Sequence, residues 1–257
     1  MADLLASGLW WLHNTRGSNV FLVEADDGQL ALVDTGFASS ARAILAEIEA
    51  HGGELAAILL THMHRDHAGA AADVRAATGA PIVIGCSDCF ERSGQRFLHS
   101  TVGRTHVARF LGSRFRRSHS GDVLVEACLE GGTEVLPGIR AVPVPGHTPG
   151  SFCFVVERLS AAFVGDLVIS HGGELTRSMR QANHDDELYL ESIRQFAAVA
   201  PDCGLPGHGV PVMTGFGDAL RELAGLPRRP LSLRAILERA VRLKRFGRDV
   251  SRKRTGV

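Results

Sequence analysis

The sequence predicts an α/β protein built as one large domain, and two observations indicate this fold class. Apolar residues make up 45% and charged residues 22% of the 257 residues, the proportions of an ordinary globular protein with a sizeable core. Across the first 85 residues, short β-rich runs alternate with segments whose apolar residues recur at helical spacing. No stretch reaches the roughly 18 consecutive apolar residues of a membrane span, so we expect no transmembrane segment.

Each predicted element has its own signal in the sequence. Residues 19–24 and 30–34 are β-rich and flank Asp26-Asp27-Gly28, which predicts a hairpin. Residues 39–51 repeat apolar positions at helical spacing, and the continuous apolar run 55–60 predicts a buried strand. The remaining predicted elements are a helix over 68–78, strands over 81–84, 139–144, 152–157 and 161–164, and helices over 185–199 and 231–246.

Residues 85–130 interrupt this alternation. They are rich in Arg, Ser, Gly and His, and their apolar runs are short. We interpret them as a partly helical insertion that covers one face of the domain and shapes a pocket. The arginines of the insertion could favour an anionic substrate, although a solvated surface is the preferred interpretation.

The formal net charge is zero but it is unevenly distributed. Residues 227–257 contain eleven Arg or Lys and two acidic residues, a charge of +9 that leaves −9 on the rest of the chain. We therefore divide the chain into a domain over 1–226 and a basic C-terminal extension over 227–257. We expect the helix of this extension to pack on the acidic body and therefore expect no nucleic-acid partner, with binding to an anionic membrane surface or to nucleic acid as the alternative.

The five cysteines predict the compartment. The N-terminus carries Asp3 and lacks a basic region, so we expect no signal peptide. Without a secretory signal, the cysteines are predicted to be free thiols in a cytoplasmic protein. Cys86 and Cys89 form a CxxC pair, which we interpret as two ordinary thiols because no second pair completes a zinc site.

The strongest chemical signal directly follows the predicted strand over 55–60. Residues 61–67 read Thr-His-Met-His-Arg-Asp-His, so three histidines and a carboxylate (His62, His64, Asp66 and His67) stand within six residues. These side chains can converge where the backbone leaves a buried strand and starts a helix. Because imidazole and carboxylate suit Zn²⁺ and similar divalent ions, the segment predicts a metal site.

Three further polar residues stand at the ends of apolar strands. His147 lies between the strands 139–144 and 152–157, Asp166 follows the run 161–165, and His208 lies in Pro-Gly-His-Gly. Each residue alone is typical of a loop. Together they supply the remaining ligands that two metal ions need.

These residues resemble the motifs of the metallo-β-lactamase superfamily. The resemblance spans about residues 15–215 and includes Asp34 in Val-Asp-Thr-Gly together with the histidine segment, His147, Asp166 and His208. It implies a four-layer αβ/βα sandwich with a binuclear metal site on one edge. The implied ligands are His62, His64 and His147 for the first metal and Asp66, His67 and His208 for the second, with Asp166 bridging both and Asp34 supporting the histidine loop.

The resemblance implies a metal-dependent hydrolase that acts on a small molecule. Two divalent ions, zinc first with iron or manganese as alternatives, would share a bridging hydroxide that attacks an ester, thioester, lactone or amide carbonyl. Asp66 and Asp166 are the expected catalytic residues, and either Asp66 or a metal-bound water would handle the leaving-group proton. Trp10 and His171 are candidate pocket residues, with packing on the sheet as an equal alternative for Trp10.

Individual branches of the superfamily differ from this chain at particular positions. Asp166 stands where the commonest secreted zinc β-lactamases use a cysteine, and Ile169 stands where quorum-signal lactonases often place a tyrosine. One alternative stays open, since persulfide dioxygenases keep the same motif residues but bind a single iron through two His and one Asp. A binding module with an inactive site is disfavoured because every ligand is present.

Overall fold

The computed structural model of the protein describes residues 2–52, 54–99, 122–172 and 174–228. The predicted helix over 231–246 and residues 100–121 of the predicted insertion lie outside the described residues. Of the basic extension, the described part is Pro227 and Arg228, so the division of the chain at residue 226 stays a prediction.

The first sheet has seven strands. In spatial order they are β1 (Ala2–Ala6), β2 (Leu9–Leu12), β3 (Val20–Glu24), β4 (Leu30–Val33), β5 (Leu55–Leu59), β6 (Ile82–Gly85) and β10 (Ala127–Leu129). The first four strands form antiparallel hairpins, whereas β4, β5, β6 and β10 run parallel to one another. The carboxyl ends of these parallel strands therefore meet at one edge of the sheet.

The second sheet has five strands. In spatial order they are β11 (Thr133–Leu136), β12 (Ile139–Pro143), β13 (Phe152–Val156), β14 (Ala161–Gly165) and β17 (Cys203–Pro206). β14 and β17 are parallel, and the other neighbours are antiparallel. Two small sheets complete the described strands, one formed by β15 (Ile169–His171) and β16 (Glu174–Thr176), the other by β7 (Cys89–Arg92), β8 (Gln95–Leu98) and β9 (Leu124–Val125).

Five α-helices are described: α1 (Ala41–Ala50), α2 (Arg65–Ala68), α3 (Ala71–Thr78), α4 (Asp186–Val199) and α5 (Phe216–Gly225). The start of α4 illustrates how the sequence sets a helix boundary. The side chain of Asp185 accepts hydrogen bonds from the backbone N–H groups of Glu187 and Leu188, which otherwise have no partner within the helix. None of the helices in the described ranges has the length and apolar character that crossing a membrane requires.

Three buried apolar clusters define the layers. On β3, Leu22 points to a cluster shared with α1 and α3, while its neighbours Phe21 and Val23 point to a cluster between the two sheets. The outer face of the second sheet packs on α4 and α5 through residues such as Phe196 and Leu220. The order helix, sheet, sheet, helix is the predicted αβ/βα sandwich.

Several short elements differ from the sequence-based prediction. β1, β2, β11, the β15–β16 hairpin and α5 were not expected. The described parts of residues 85–130 form short strands and a single 3₁₀ turn at Cys86–Asp88, where a partly helical insertion was predicted. Short strands of this kind are stabilised by their pairing partners, so their own residues carry little periodic signal.

The prediction that all five cysteines are free thiols is wrong. Cys86 and Cys128 form a disulfide, whereas Cys89, Cys153 and Cys203 are free. The pair forms because β10 lies parallel to β6 with Cys128 opposite Ile84, which brings Cys128 beside the turn that follows β6. The CxxC motif is therefore not a pair of ordinary thiols, and it no longer supports a reducing compartment.

Candidate metal centre

The candidate metal centre lies at one edge of the sandwich, where strands of both sheets end. After β5 the chain turns through Thr61 towards α2. In the second sheet, Asp166 directly follows β14, and His208 lies just beyond β17. The backbone N–H of Phe152 donates to the carbonyl of Thr61 at 2.9 Å, so the two sheets are joined directly at this edge.

Three histidines form the first ligand group, together with one oxygen of Asp166. Nδ1 of His64 lies 2.9 Å from Nε2 of His62 and 3.0 Å from Nε2 of His147. Oδ2 of Asp166 lies 3.3 Å from Nε2 of His147. Each of the four residues places a ligand atom within 4.8 Å of the others, and this set of imidazoles and a carboxylate suits a divalent metal ion.

The second ligand group consists of Asp66, His67 and His208. Asp66 and His67 lie on the single turn of α2, while His208 approaches from the loop after β17. Nε2 of His208 lies 3.3 Å from Oδ2 of Asp66 and 3.3 Å from Nε2 of His67. Two histidines and a carboxylate from two sheets thus meet at a second position that could hold a metal.

Asp166 lies between the two groups and contacts both. Its Oδ2 faces His147, while its Oδ1 lies 3.3 Å from Nε2 of His67 and 3.5 Å from Nε2 of His208. Oδ1 is buried and makes no hydrogen bond with any described residue. A buried carboxylate oxygen without a hydrogen bond is costly, so this atom favours a nearby cation, either a protonated histidine or a metal ion.

Hydrogen bonds on the far side of the rings also favour a metal. Nδ1 of His67 lies 2.8 Å from Oδ2 of Asp34, which can only accept, so Nδ1 donates. In the neutral ring, Nε2 of His67 then presents its lone pair to Nε2 of His208 and Oδ1 of Asp166. Groups with lone pairs can converge in this way only around a proton or a cation, and the donor set fits a divalent metal.

The histidines of the two groups differ in protonation. Burial lowers the pKa of His62 well below its usual value, and burial together with the neighbouring His147 lowers the pKa of His64 to about 4. Burial also acts to lower the pKa of His67, but the charges of Asp34 and Asp166 outweigh it and raise this pKa well above its usual value. His62 and His64 are thus neutral near pH 7, whereas His67 attracts positive charge.

The carboxylates of the centre remain ionised. Burial acts to raise the pKa of Asp66, but its hydrogen bond with His208 and the nearby His67 lower it to about 2. Burial likewise acts to raise the pKa of Asp166, and the charges of His208 and His67 lower it well below its usual value. For His208, the charge of Asp166 outweighs burial and raises the pKa.

Asp34 makes the contacts expected of a supporting carboxylate. It follows β4 with a left-handed backbone (φ 56°), a conformation that Asp tolerates better than most residues. Its Oδ1 accepts from the backbone N–H of Thr61 at 2.9 Å, and its Oδ2 accepts from the Thr61 hydroxyl at 2.9 Å and from His67. Asp34 therefore holds the start of the histidine segment and one of its rings together.

Asp88 is a supporting residue that the sequence analysis missed. This buried carboxylate accepts from the backbone N–H of Met63 at 2.9 Å, and Met63 lies between two of the ligand histidines. It also accepts from the Thr148 hydroxyl at 2.7 Å and from the Gly150 N–H at 2.8 Å, beside His147. Asp88 lies shortly after the end of β6. A search for polar residues at the ends of predicted strands, which pointed to Asp166, could therefore also have pointed to Asp88.

Asn19 holds the loop that carries His208. Its side-chain amide donates to the carbonyls of Pro206 at 2.8 Å and Gly209 at 2.7 Å, on either side of that histidine. The indole N–H of Trp11 donates to Asn19 at 3.2 Å. No periodic signal in the sequence marks Asn19, because its partners lie nearly 190 residues away.

A glycine keeps space open beside the second group. A Cβ atom on Gly207 would lie 2.5 Å from Cε1 of His67 and 2.9 Å from Oδ1 of Asp166. Both distances are too short for any side chain. Position 207 must therefore be glycine for His67 and Asp166 to approach each other as they do.

The two predicted pocket residues lie in different places. The ring of Trp10 contacts His51 at the far end of α1, with 4.5 Å between ring centroids, and packs on the cluster beneath that helix. These contacts of Trp10 are those of the packing alternative. His171 ends β15, and the neighbouring Ser170 donates its N–H to the carbonyl of His208 at 3.1 Å, which places His171 beside a ligand loop.

The fold and the ligand groups agree with the family comparison. The family model of the metallo-beta-lactamase superfamily matches residues 13–208, so the chain belongs to this superfamily. The match covers the whole segment from the first support of the centre, Asn19, to the last ligand, His208.

Two of the curated relatives carry hydrolase names. Thioesterase pkgB of Emericella nidulans is 28% identical over 198 residues, which are 76% of this chain and 46% of that protein. The probable metallo-hydrolase YflN of Bacillus subtilis is 30% identical over 230 residues, which are 80% of this chain and 86% of that protein. The chain spans about half the length of the thioesterase and of lactamase-like protein adaB of Aspergillus niger.

Solved structures show the same fold. The superfamily protein ST1585 from Sulfolobus tokodaii superposes with a TM-score of 0.64 at 18% identity, over 88% of this chain and 89% of that one. At this identity the likeness concerns the fold alone. TTHA1623, solved in a di-iron-bound form, superposes with a TM-score of 0.55 at 26% identity, over 76% of this chain and 88% of that one.

Proposed function

We propose that the protein is a hydrolase that holds two divalent metal ions and cleaves an ester, thioester, lactone or amide bond of a small molecule. The observation that carries this proposal is the position of Asp166, whose two oxygens face two separate ligand groups. A single metal would need only one of these groups. The second group, built from α2 and the loop after β17, supplies a further set of ligands and so favours two ions.

The ligands of the two ions follow from the two groups. We assign His62, His64 and His147 to the first metal, Asp66, His67 and His208 to the second, and Asp166 to both. Two ions held in this way supply Lewis acidity, which polarises a carbonyl oxygen and lowers the pKa of a water towards neutrality.

Asp66 is the residue we assign to proton transfer. Its pKa, lowered to about 2, keeps it a carboxylate at neutral pH, so it can accept a hydrogen bond from the attacking water and orient it. It is also partly exposed, with 32% of its side chain accessible, and can therefore reach the leaving group of a bound substrate. Asp166, only 11% accessible, is placed to bind metal and not to exchange protons.

Within this class of reactions, thioesters are the first substrates to test. One relative is named a thioesterase, and it is 28% identical to this chain over 198 residues. Zinc is the first metal to test, with iron or manganese as the alternatives, because histidine and carboxylate ligands accept all three. The di-iron form of TTHA1623 makes iron a specific alternative.

The decisive experiment measures metal content per chain by elemental mass spectrometry on protein purified without added metal. We expect about two ions per chain and metal-dependent hydrolysis of an acyl thioester, ester or lactone. His51→Gln is the matched control, since His51 lies at the end of α1 against Trp10, and its metal content and activity should be unchanged.

Two other results would overturn the proposal. One iron per chain, with oxygen uptake on a persulfide, would assign the chain to the dioxygenase branch. Protein that binds no metal tightly and turns over none of the substrate classes would be a binding module.

A further inference from the structure

We propose that Asn183, Asp186 and Arg228 form a positioning chain that fixes which ring nitrogen of His147 carries a proton. The chain keeps the proton on Nδ1 and leaves the lone pair of Nε2 facing the first metal position. This inference rests on the metal-binding part of the proposed function and does not depend on which bond the protein cleaves.

The first link joins His147 to Asn183. Nδ1 of His147 lies 3.0 Å from Oδ1 of Asn183, and the hydroxyl of Ser178 donates to the same oxygen. An amide oxygen only accepts hydrogen bonds. Nδ1 of His147 must therefore donate, and Nε2, which lies 3.0 Å from Nδ1 of His64, is left without a proton in the neutral ring.

The second link fixes the orientation of the Asn183 amide. An isolated Asn side chain can turn over and exchange its oxygen and nitrogen, which would reverse the hydrogen bond to His147. Here Nδ2 of Asn183 donates to Oδ1 of Asp186 at 2.7 Å. Because a carboxylate only accepts, the amide nitrogen must face Asp186, and the amide oxygen must face His147.

The third link holds Asp186 in place. Arg228 donates to both oxygens of Asp186, through Nε to Oδ2 at 2.9 Å and through Nη2 to Oδ1. The side chains of Asp186 and Arg228 are only 12% and 18% accessible, so this pair is shielded from solvent and salt. The guanidinium of Arg228 also lies over the ring of the buried Tyr189, 5.8 Å from its centroid.

A neighbouring ligand, His62, is oriented by a shorter chain of partners. Nδ1 of His62 lies 3.1 Å from the hydroxyl of Thr61. Because this hydroxyl donates its single proton to Oδ2 of Asp34, it can only accept from Nδ1 of His62, so the neutral His62 ring also carries its proton on Nδ1. The chain behind His147 is longer: each hydrogen bond in it has one possible direction, and it begins at Arg228, the second residue of the basic extension.

The test reads the tautomer of His147 directly in the metal-free protein. Long-range ¹H–¹⁵N correlation spectra of protein labelled with [¹⁵N]histidine distinguish a protonated Nδ1 from a protonated Nε2 in a neutral ring. The signals of His147 are assigned by their loss in His147→Gln. We expect His147 to be protonated on Nδ1 in the wild type and to become a mixture of both tautomers in Asn183→Leu.

The same variants change metal affinity without any assay of hydrolysis. Competition with a chromophoric chelator should show one metal bound about 10–100-fold more weakly in Asn183→Leu, the usual effect of removing a partner of a ligand histidine. Arg228→Met, which leaves Asn183 in place, should give a smaller loss in the same direction. Gln195→Leu and Arg194→Met are matched controls, because these residues pair with Glu191 on α4 away from the centre.

The outcomes separate positioning from stability. A His147 that stays protonated on Nδ1 in folded Asn183→Leu, with unchanged metal affinity, would overturn the inference. Should Asn183→Leu fail to fold, Arg228→Met decides the question: an affinity equal to that of Arg194→Met contradicts the chain. If metal binds but no substrate is hydrolysed, the proposed function fails while the tautomer and affinity results still stand.

Discussion

The two ligand groups of the metal centre are similar in composition but differ in the residues that support them. The first group is backed by neutral partners, the hydroxyl of Thr61 and the amide of Asn183. The second group is backed by a charge, because Asp34 accepts the hydrogen bond of His67. Neutral support leaves buried imidazoles neutral, whereas a buried carboxylate raises their pKa.

This difference has a chemical consequence for how each group takes up a metal. The low pKa values of His62 and His64 mean that no proton has to leave those rings near pH 7. The raised pKa values of His67 and His208 mean that a metal must displace protons from the second group. We therefore expect the second metal to be the more sensitive one, both to mutation and to pH.

The largest effect is expected for the residue that the two groups share. Asp166→Ala removes a ligand and a negative charge from both metal positions, so metal content should fall below two ions per chain. Hydrolytic kcat/KM should fall by about 10³-fold or more, since Lewis acidity is worth several kcal/mol. Asp218→Ala on the exposed face of α5 is the control, and retention of two metals by Asp166→Ala would contradict the bridging assignment.

Asp34→Asn should separate the two groups. The neutral amide no longer stabilises positive charge on His67, so the second metal should bind about 10–100-fold more weakly while the first changes less. Chelator competition on the loaded protein measures both dissociation constants. Equal weakening of both metals would mean that Asp34 acts on the whole histidine segment and not on one group.

The pH dependence of metal binding should also differ between the groups. At pH values below the raised pKa of His67 and His208, protons compete with the second metal for these rings. The dissociation constant of the second metal should therefore rise by about tenfold for each unit that the pH falls and for each proton displaced. The first constant should depend less on pH, because His62 and His64 already lack protons. Titrations at pH 6, 7 and 8 measure both, and parallel slopes would contradict the comparison.

Asp88→Asn should give the smallest effect. The amide cannot accept from Met63, Thr148 and Gly150 at once, which should lower the free energy of unfolding by about 1–3 kcal/mol. Part of this loss is offset because the substitution also removes a buried negative charge. Burial raises the pKa of Asp88, so the charged form of this side chain is disfavoured in the native state. Chemical denaturation measures the change against Asp122→Asn, whose carboxylate pairs with the exposed Arg92.

Much of the centre could be predicted from the sequence because its residues follow a simple rule of placement. His62, His64, Asp66 and His67 are neighbours in sequence, so a single turn after β5 brings them together. Asp166 and His208 each follow an apolar strand, and strand ends meet at the edge of a sheet. The fold class could also be predicted from the sequence. The alternation of strands and helices follows from the periodicity of apolar residues, which is a local property of the sequence.

The supporting residues could not be predicted in this way. Asn19 was read as the start of a strand, and nothing near it in sequence indicates its bonds to the carbonyls of Pro206 and Gly209. The Cys86–Cys128 disulfide was missed because it depends on the parallel pairing of β10 with β6, two strands separated by more than forty residues.

The sequence by itself therefore determined which side chains could bind metal, because ligand chemistry belongs to residue type and the ligands lie at strand ends. The tertiary structure alone decided how those side chains are held: which ring nitrogen faces inwards, which group is backed by a charge, and that both oxygens of Asp166 are used. These properties depend on hydrogen bonds between segments far apart in the chain, such as Arg228 with Asp186 or Asp34 with His67. Such partners become neighbours only when the two sheets pack.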